Sequence, residues 1–298
     1  MPQQKERRRA VLQPGLLQID PIEKEPSFHN FPGTWIYCVG TASCNNRCRF
    51  CQNWYLSQQT LWEVVSESRT PREIVREAQT AECPAVSFTY NEPTVFYEYM
   101  LDIATLAQEE GLRTLFHTNG SMNERPMKDL LKVMNAVTVD LKAFDEAFYQ
   151  QVSGSELRPV LRTLETIRAS GRHLEIVNLV IPTLNDDPKT IRRMCQWVVR
   201  TLGADVPLHF TRFFPAYKLQ RLPPTSIETL ERAASEAEEA GLQYVYIGNV
   251  PGHPRNSTYC PTCGDLLIHR VHFSVLEVRL RRGCCPSCGQ AIPGRWEG

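Results

Sequence analysis

Three cysteines stand close together at Cys44, Cys48 and Cys51 in the stretch CNNRCRFCQNW, a C-x3-C-x2-C spacing. One compact loop of this length can aim three thiolates at a single point. Four cysteine thiolates close a [4Fe–4S] cluster, so three leave one iron without a protein ligand. An open coordination position is what separates a catalytic metal from a structural one, as open zinc sites illustrate. The alternative is a structural zinc completed by a further residue such as Cys38 or His117.

A second group lies near the C-terminus. YCPTCG and CCPSCG form two C-x-x-C knuckles, and matching their Pro and Gly positions selects Cys260, Cys263, Cys285 and Cys288, leaving Cys284 spare. Paired knuckles of this kind read as a four-thiolate metal site. The intervening LLIHRVHFSVLEVRL alternates like a strand pair. We expect a zinc ribbon of rubredoxin-like form, with mononuclear iron on the same four thiolates as the alternative. So small a module needs its metal to fold. Its role is either structural, capping the rest of the chain, or recognition of a protein or RNA partner helped by Arg270, Arg279, Arg281 and Arg282.

The elements that must position the first loop alternate along the chain. Strand-like stretches are expected at 34–40, 85–90, 113–119, 136–142, 173–181, 207–214 and 244–250. Helical patterns fall at 70–83, 93–111, 123–134, 155–170, 187–202 and 225–241. Repeated β-then-α units argue for a parallel sheet with right-handed crossovers, α/β in class and a partial or near-complete (β/α) barrel in architecture. In such barrels chemistry collects on loops after the strand C-termini. The cysteine loop, Asn91-Glu92-Pro93, Asn119-Gly120 and Lys142 all fall on that rim. Residues 1–30, rich in proline, read as an extended arm. The barrel is expected over 31–252 and the four-cysteine metal-binding module over 253–298.

Each rim motif has a plainer reading. Pro93 beside Glu92 is a favourable helix start. Asp140 and Lys142 could be an ordinary strand-end pair. On a strand over 207–214, His209 and Thr211 share one face and Arg212 takes the other. A lone strand histidine is commonly structural.

The first loop resembles the signature of radical S-adenosylmethionine (SAM) enzymes, C-x3-C-x-φ-C, with Phe50 at the aromatic position. The resemblance implies that the amino and carboxylate groups of SAM bind the open iron. Reductive cleavage then gives methionine and a 5′-deoxyadenosyl radical, which abstracts hydrogen. Asn91, Glu92 and Pro93 stand where this family often has a Gly-Gly-Glu-Pro motif holding the SAM amino group. The glycines are absent here. HTNG (117–120) and VDLK (139–142) are similar to motifs of glycyl-radical-enzyme activases, where this region helps hold the SAM carboxylate, partly through a monovalent cation. His117 replaces their usual Asp. By this likeness Asn119, Asp140, Lys142 and His209 are candidate SAM contacts.

The stretches DPIEKEPSFHNFPG, FTYNEPTVFYEY, DLKAFDEAFY, PLHFTRFFPAYK and YVYIGNVPG extend the likeness to nearly the whole chain. They resemble the AmmeMemoRadiSam-system radical SAM enzymes, which are pyruvate formate-lyase-activating-enzyme-like. That implies a functional link to Memo-like and AMMECR-type proteins. Ser43 departs from the family, in which glycine usually precedes the first cluster cysteine.

Composition sets outer bounds. Lys+Arg and Asp+Glu are equal at 33 each, which gives no electrostatic case for nucleic acid or a membrane surface. No apolar run is long enough to span a bilayer. The odd count of 11 cysteines without an export signal fits a reducing cytoplasm. The expected activity is a radical SAM reaction fed by an external electron donor. Its unidentified substrate is either a protein, as for an activase, or a small metabolite. A non-catalytic zinc-binding adaptor is the competing class.

Overall fold

The structure, a computed structural model, describes residues 16–64 and 68–296. The expectation for residues 1–15 of the arm lies outside them. The main sheet has eight strands in sequence order: β1 (Leu16–Pro21), β2 (Trp35–Gly40), β3 (Ala85–Phe88), β4 (Arg113–Thr118), β5 (Ala136–Asp140), β6 (His173–Val180), β7 (Leu208–Arg212) and β8 (Val245–Gly248). Every neighbouring pair from β2 to β8 is parallel, and β1 joins β2 antiparallel. Helices α1 (Trp54–Ser57), α2 (Pro71–Thr80), α3 (Tyr97–Glu109), α4 (Glu124–Leu130), α5 (Glu146–Phe148), α6 (Leu157–Ala169), α7 (Pro188–Thr201) and α8 (Ile227–Glu239) lie between the parallel strands.

Local chemistry sets the helix starts. Thr70 and Glu73 form a reciprocal capping box before α2, with Pro71 in its first turn. Asp187 and Ser226 cap α7 and α8 through the backbone N–H groups of Thr190 and Thr229. The helices bury one apolar face against the sheet. Ile74, Met100, Leu164, Met194 and Leu230 share one core with strand residues Val86, Phe116, Val137 and Ile176.

The arm departs from expectation. It contributes β1, and residues 22–31 then run across the inner face of the sheet. Glu25 accepts from Ser87 Oγ on β3 at 2.6 Å and from Cys38 Sγ on β2 at 3.8 Å. Phe28 packs edge-on to His209 of β7, and His29 Nε2 meets Tyr246 Oη of β8 at 2.6 Å. A flat sheet would set β2 and β8 roughly 29 Å apart at ~4.8 Å per strand. The chain from Glu25 to His29 reaches at most about 14 Å. The sheet therefore curls around the arm as a partial barrel. Among the described residues, β8 pairs only with β7 and β1 only with β2, so the barrel stays open.

The C-terminal module lies against the arm and β8. Its sheet has the order β11-β10-β9, from β9 (Thr258–Tyr259), β10 (Leu266–Val271) and β11 (Ser274–Val278). Leu267, Ile268 and Ile292 share a second core with Phe28, Tyr244 and Tyr246. Backbone bonds of 2.7 Å run from Phe31 N to Arg295 O and from Arg295 N to His29 O.

Arg270, expected as an RNA or partner contact, is wholly buried. It donates to Phe28 O, Thr258 Oγ1 and Glu23 Oε1, and stacks on Phe28. Burying a guanidinium demands such partners, so it is unavailable to an outside ligand. Arg279 pairs with Glu277 at 2.8 Å.

A candidate iron–sulfur and SAM cleft

A cleft of about 330 Å³ opens on the rim where the parallel strands end. Cys44, Cys48 and Cys51 line it, together with Phe50, Asn91, Glu92, Asn119, Asp140 and Lys142. The expected rim residues are thus brought to one place, apart from His209.

The cysteine loop leaves β2 at Gly40 and is fastened on both flanks. Asn91 Oδ1 accepts from Thr41 N at 3.0 Å, and its Nδ2 donates to Ser43 O at 2.8 Å. On the other flank Arg47 N and Arg49 N donate to Ser153 O and Val152 O at 2.8 and 2.9 Å. Ser43 has a φ of 77°, in the left-handed region that favours glycine. That explains why glycine is the usual residue at this position in the family it resembles. Tyr90 (φ 74°) does the same where the first motif glycine would stand.

The Cys44 sulfur accepts from Asn46 N at 3.4 Å and Asn119 Nδ2 at 3.8 Å. Cys51 Sγ lies 3.1 Å from Ser57 Oγ. Burial, followed by the charge of Glu92, pushes the Cys44 thiol up to about 12. Burial also raises the Cys48 thiol, and Lys142 opposes it. Such thiols ionise only against a strong cation, which is what iron supplies.

The sulfur spacing separates the two metal sites. Cys260, Cys263, Cys285 and Cys288 hold their sulfurs within 4.8 Å of one another, at 3.5 Å for Cys260–Cys288 and 3.7 Å for Cys263–Cys285. Four sulfurs about 2.3 Å from one tetrahedral ion stand about 3.8 Å apart, so this set fits a single metal. Among the described residues no other such group is that close. The loop thiols are spread more widely, which fits a cluster whose thiolates bind different irons. Neither Cys38, bonded to Glu25, nor His117, bonded to Asp140, completes a zinc site with them.

Glu92 is buried at the end of the loop after β3. It accepts from Asn119 N at 2.7 Å, Thr118 Oγ1 at 2.9 Å and Thr94 N at 3.1 Å. It ties two rim loops together, and burial raises its carboxyl. Pro93 opens a 3-10 turn, as the plainer reading held. Gly120 has a φ of 74°, and a Cβ there would lie 2.9 Å from Val160. Only glycine lets the HTNG turn approach α6.

Asp140 is the charge centre. Its carboxylate meets Lys142 Nζ at 2.8 Å and His117 Nε2 at 3.1 Å. Burial alone would raise it, but Lys142 and then His117 hold it well below the usual carboxylate range. Burial would lower Lys142, yet Asp140 keeps it firmly protonated. His117 is likewise pushed down by burial and raised overall by Asp140. Lys142 N donates to Tyr149 Oη at 3.1 Å, and Asn178 and Asn185 donate to the carbonyls of Leu141 and Lys142 at 2.7 Å.

His209 is a correction. It lines a separate, smaller chamber and donates from Nε2 to Glu175 Oε2 at 2.6 Å. Glu175 takes three further bonds, from Phe28 N, His29 N and His173 Nε2, so His209 belongs to the network that holds the arm. Sequence reasoning missed Asp20, Lys24 and Glu25, which line the main cleft from the arm. Their only signal was the DPIEKEP stretch. Lys24 bonds Asp20 at 2.8 Å, and Tyr90 Oη also bonds Asp20.

Residues 39–195 match the Radical SAM superfamily. The chain belongs to the radical SAM superfamily. It is 44% identical over 280 residues to MJ0808, an uncharacterized protein of Methanocaldococcus jannaschii, covering 93% of this chain and 83% of that one. It is 24% identical over 158 residues to the pyruvate formate-lyase-activating enzyme of Clostridium pasteurianum, covering 51% and 64%. The benzylsuccinate synthase activating enzyme of Thauera aromatica matches at 24% over 148 residues, covering 47% and 45%. In fold, the chain superposes on Streptococcus suis SuiB bound to S-adenosylmethionine with a TM-score of 0.60, at 12% identity, covering 80% of this chain and 56% of that one. This radical SAM chain is therefore an enzyme, with SAM-dependent radical chemistry and, by family, an iron–sulfur cluster. Among the described residues no helix is long and apolar enough to cross a membrane.

Proposed function

We propose that this protein cleaves SAM reductively and uses the radical to abstract hydrogen from a substrate held beside the cleft. The observation that carries the reading is the meeting of three thiols, one open cleft and the Asp140–Lys142–His117 charge group on one rim. When bound, a [4Fe–4S] cluster supplies the open iron for SAM and the electron for its cleavage. Cys44, Cys48 and Cys51 hold the cluster, and Asn119 and the Asn46 amide orient the first sulfur. Lys142 and Asp140 offer opposite charges to the carboxylate and amino ends of a methionine moiety. Phe50 forms an apolar wall under them. Cys260, Cys263, Cys285 and Cys288 hold zinc, with mononuclear iron as the alternative.

The likeness to two activating enzymes supports a protein substrate modified as by an activase. One observation favours a small metabolite instead: the chamber next to the cleft is walled by the arm and the tail hairpin. The quoted motifs support the AmmeMemoRadiSam-system branch, with its link to Memo-like and AMMECR-type proteins and an external electron donor. None of the eleven cysteines forms a disulfide, which supports a cytoplasmic setting.

Anaerobic reconstitution with iron and sulfide, followed by dithionite and SAM, should yield 5′-deoxyadenosine. Its absence from protein whose cluster is present by absorbance and electron paramagnetic resonance would sink the reading. A protein that takes up zinc and no iron would point to the adaptor.

A further inference from the structure

The chamber beside the main cleft has a volume of about 170 Å³. It shares Lys24, Val177 and Thr211 with the cleft, so the two are contiguous. Its outer wall is His272 and Phe273, the tip of the β10–β11 hairpin of the four-cysteine module. Its inner wall is built by the arm, β7 and Asn256.

Three residues that line it carry a buried polar atom with no partner: Glu23 Oε2, His209 Nδ1 and Asn256 Oδ1. In each case the rest of the side chain is fixed. Glu23 Oε1 accepts from Gly33 N at 3.0 Å and from Arg270 Nε at 3.4 Å. Asn256 Nδ2 donates to Ile247 O at 2.7 Å, which sets the amide so that Oδ1 is the free atom. His209 Nε2 faces the Glu175 carboxylate and must carry the hydrogen of that bond, so neutral His209 presents a lone pair at Nδ1. All three unpaired atoms are then acceptors. A buried acceptor left unmatched costs about 1–3 kcal/mol, so three on one chamber call for a ligand that donates.

We propose that this chamber is the substrate subsite and that it takes a nitrogen-centred cation, an amidinium, guanidinium or ammonium group. The inference rests on the radical reading above for what happens to the bound molecule, but the binding stands apart from it. The four-cysteine module then serves recognition as well as stability, since its hairpin closes the chamber.

The test is equilibrium binding to the full-length protein, reconstituted with cluster and SAM, by calorimetry. Benzamidinium, benzamide and benzoate share one shape and differ in charge and donors. Benzamidinium should bind at least tenfold more tightly than either of the others. Glu23→Gln should weaken it at least tenfold, and Phe273→Ala, at the hairpin tip, several-fold. The second variant keeps the test open should the first fail to fold. A blocked Gly-Arg-Gly tripeptide that binds as well as benzamidinium supports a peptide side chain as the source. Benzamidinium binding without tripeptide binding supports a free small molecule. Equal binding of the three benzene probes, or unchanged benzamidinium affinity in the folded variants, overturns the proposal. Measuring 5′-deoxyadenosine in the same samples separates this from failure of the radical reading, because cation binding needs no SAM cleavage.

Discussion

Lys142 Nζ lies 2.8 Å from Asp140 Oδ2, where β5 runs out onto the rim that carries the cysteine loop. The two residues stand two apart on one strand end, and the pair faces the cleft with only 11% of the lysine side chain exposed. An ammonium so little hydrated needs its carboxylate, and the carboxylate in turn is held ionised by it. Removing either should therefore unsettle both.

Lys142→Met should destabilise the fold by about 1–3 kcal/mol, because it strands a largely buried carboxylate. Asp140 is depressed in the native state, so its pairing adds stability above its unfolded value and loses it as pH falls. The variant should lose that acid-side slope, read by urea denaturation between pH 3 and 6. An unchanged slope would show that Lys142 does not hold Asp140.

Glu25 gives the opposite sign. Burial pushes its carboxyl from 4.5 to about 7. The native state then binds more protons than the unfolded chain between those values, so stability falls as pH rises through that window. The cost of ionising Glu25 sums to about 3 kcal/mol. Glu25→Gln should be the more stable protein at pH 8 and match the parent near pH 4, as denaturant midpoints would report.

Replacing Cys44, Cys48 or Cys51 singly by Ala should abolish the charge-transfer absorbance near 400 nm after reconstitution. It should reduce 5′-deoxyadenosine to background while leaving the tail metal in place. Metal analysis beside the spectrum separates the two sites.

Stripping the tail metal, or Cys285→Ser, should loosen residues 253–296. The effect should spread to residues 27–31, because Phe31, His29 and Arg295 share backbone bonds across the junction. Hydrogen exchange should rise at both segments and stay unchanged at α7.

Ser43→Gly should stabilise the protein by about 0.5–1 kcal/mol, since glycine adopts a φ of 77° without the penalty serine meets. A destabilised variant would show that the Ser43 side chain has a use in the loop.

Much of this was legible in the sequence because the signals are local. Alternating period-2 and period-3.6 patterns identified β2 to β8 and their crossover helices, with ends displaced by a few residues where caps or 3-10 turns intervene. An example is Pro93–Phe96 before α3. The cysteine spacing and the paired knuckles named both metal sites, because ligand spacing is itself sequence.

The sequence did not reveal which residues meet across the barrel. DPIEKEPSFHNF reads as an extended arm, since a segment without periodic apolar positions says nothing about where it lies. Only the curled sheet shows that its carboxylates and amides satisfy buried partners on β2, β3 and β6. His209 likewise reads as a rim residue until Glu175 is seen beneath it. Sequence determined the periodicity, the caps and the ligand spacing, each set by neighbours a few positions apart. Tertiary structure decided the pairings of buried charges and the walls of the cleft. Those depend on desolvation, which burial by distant segments alone creates.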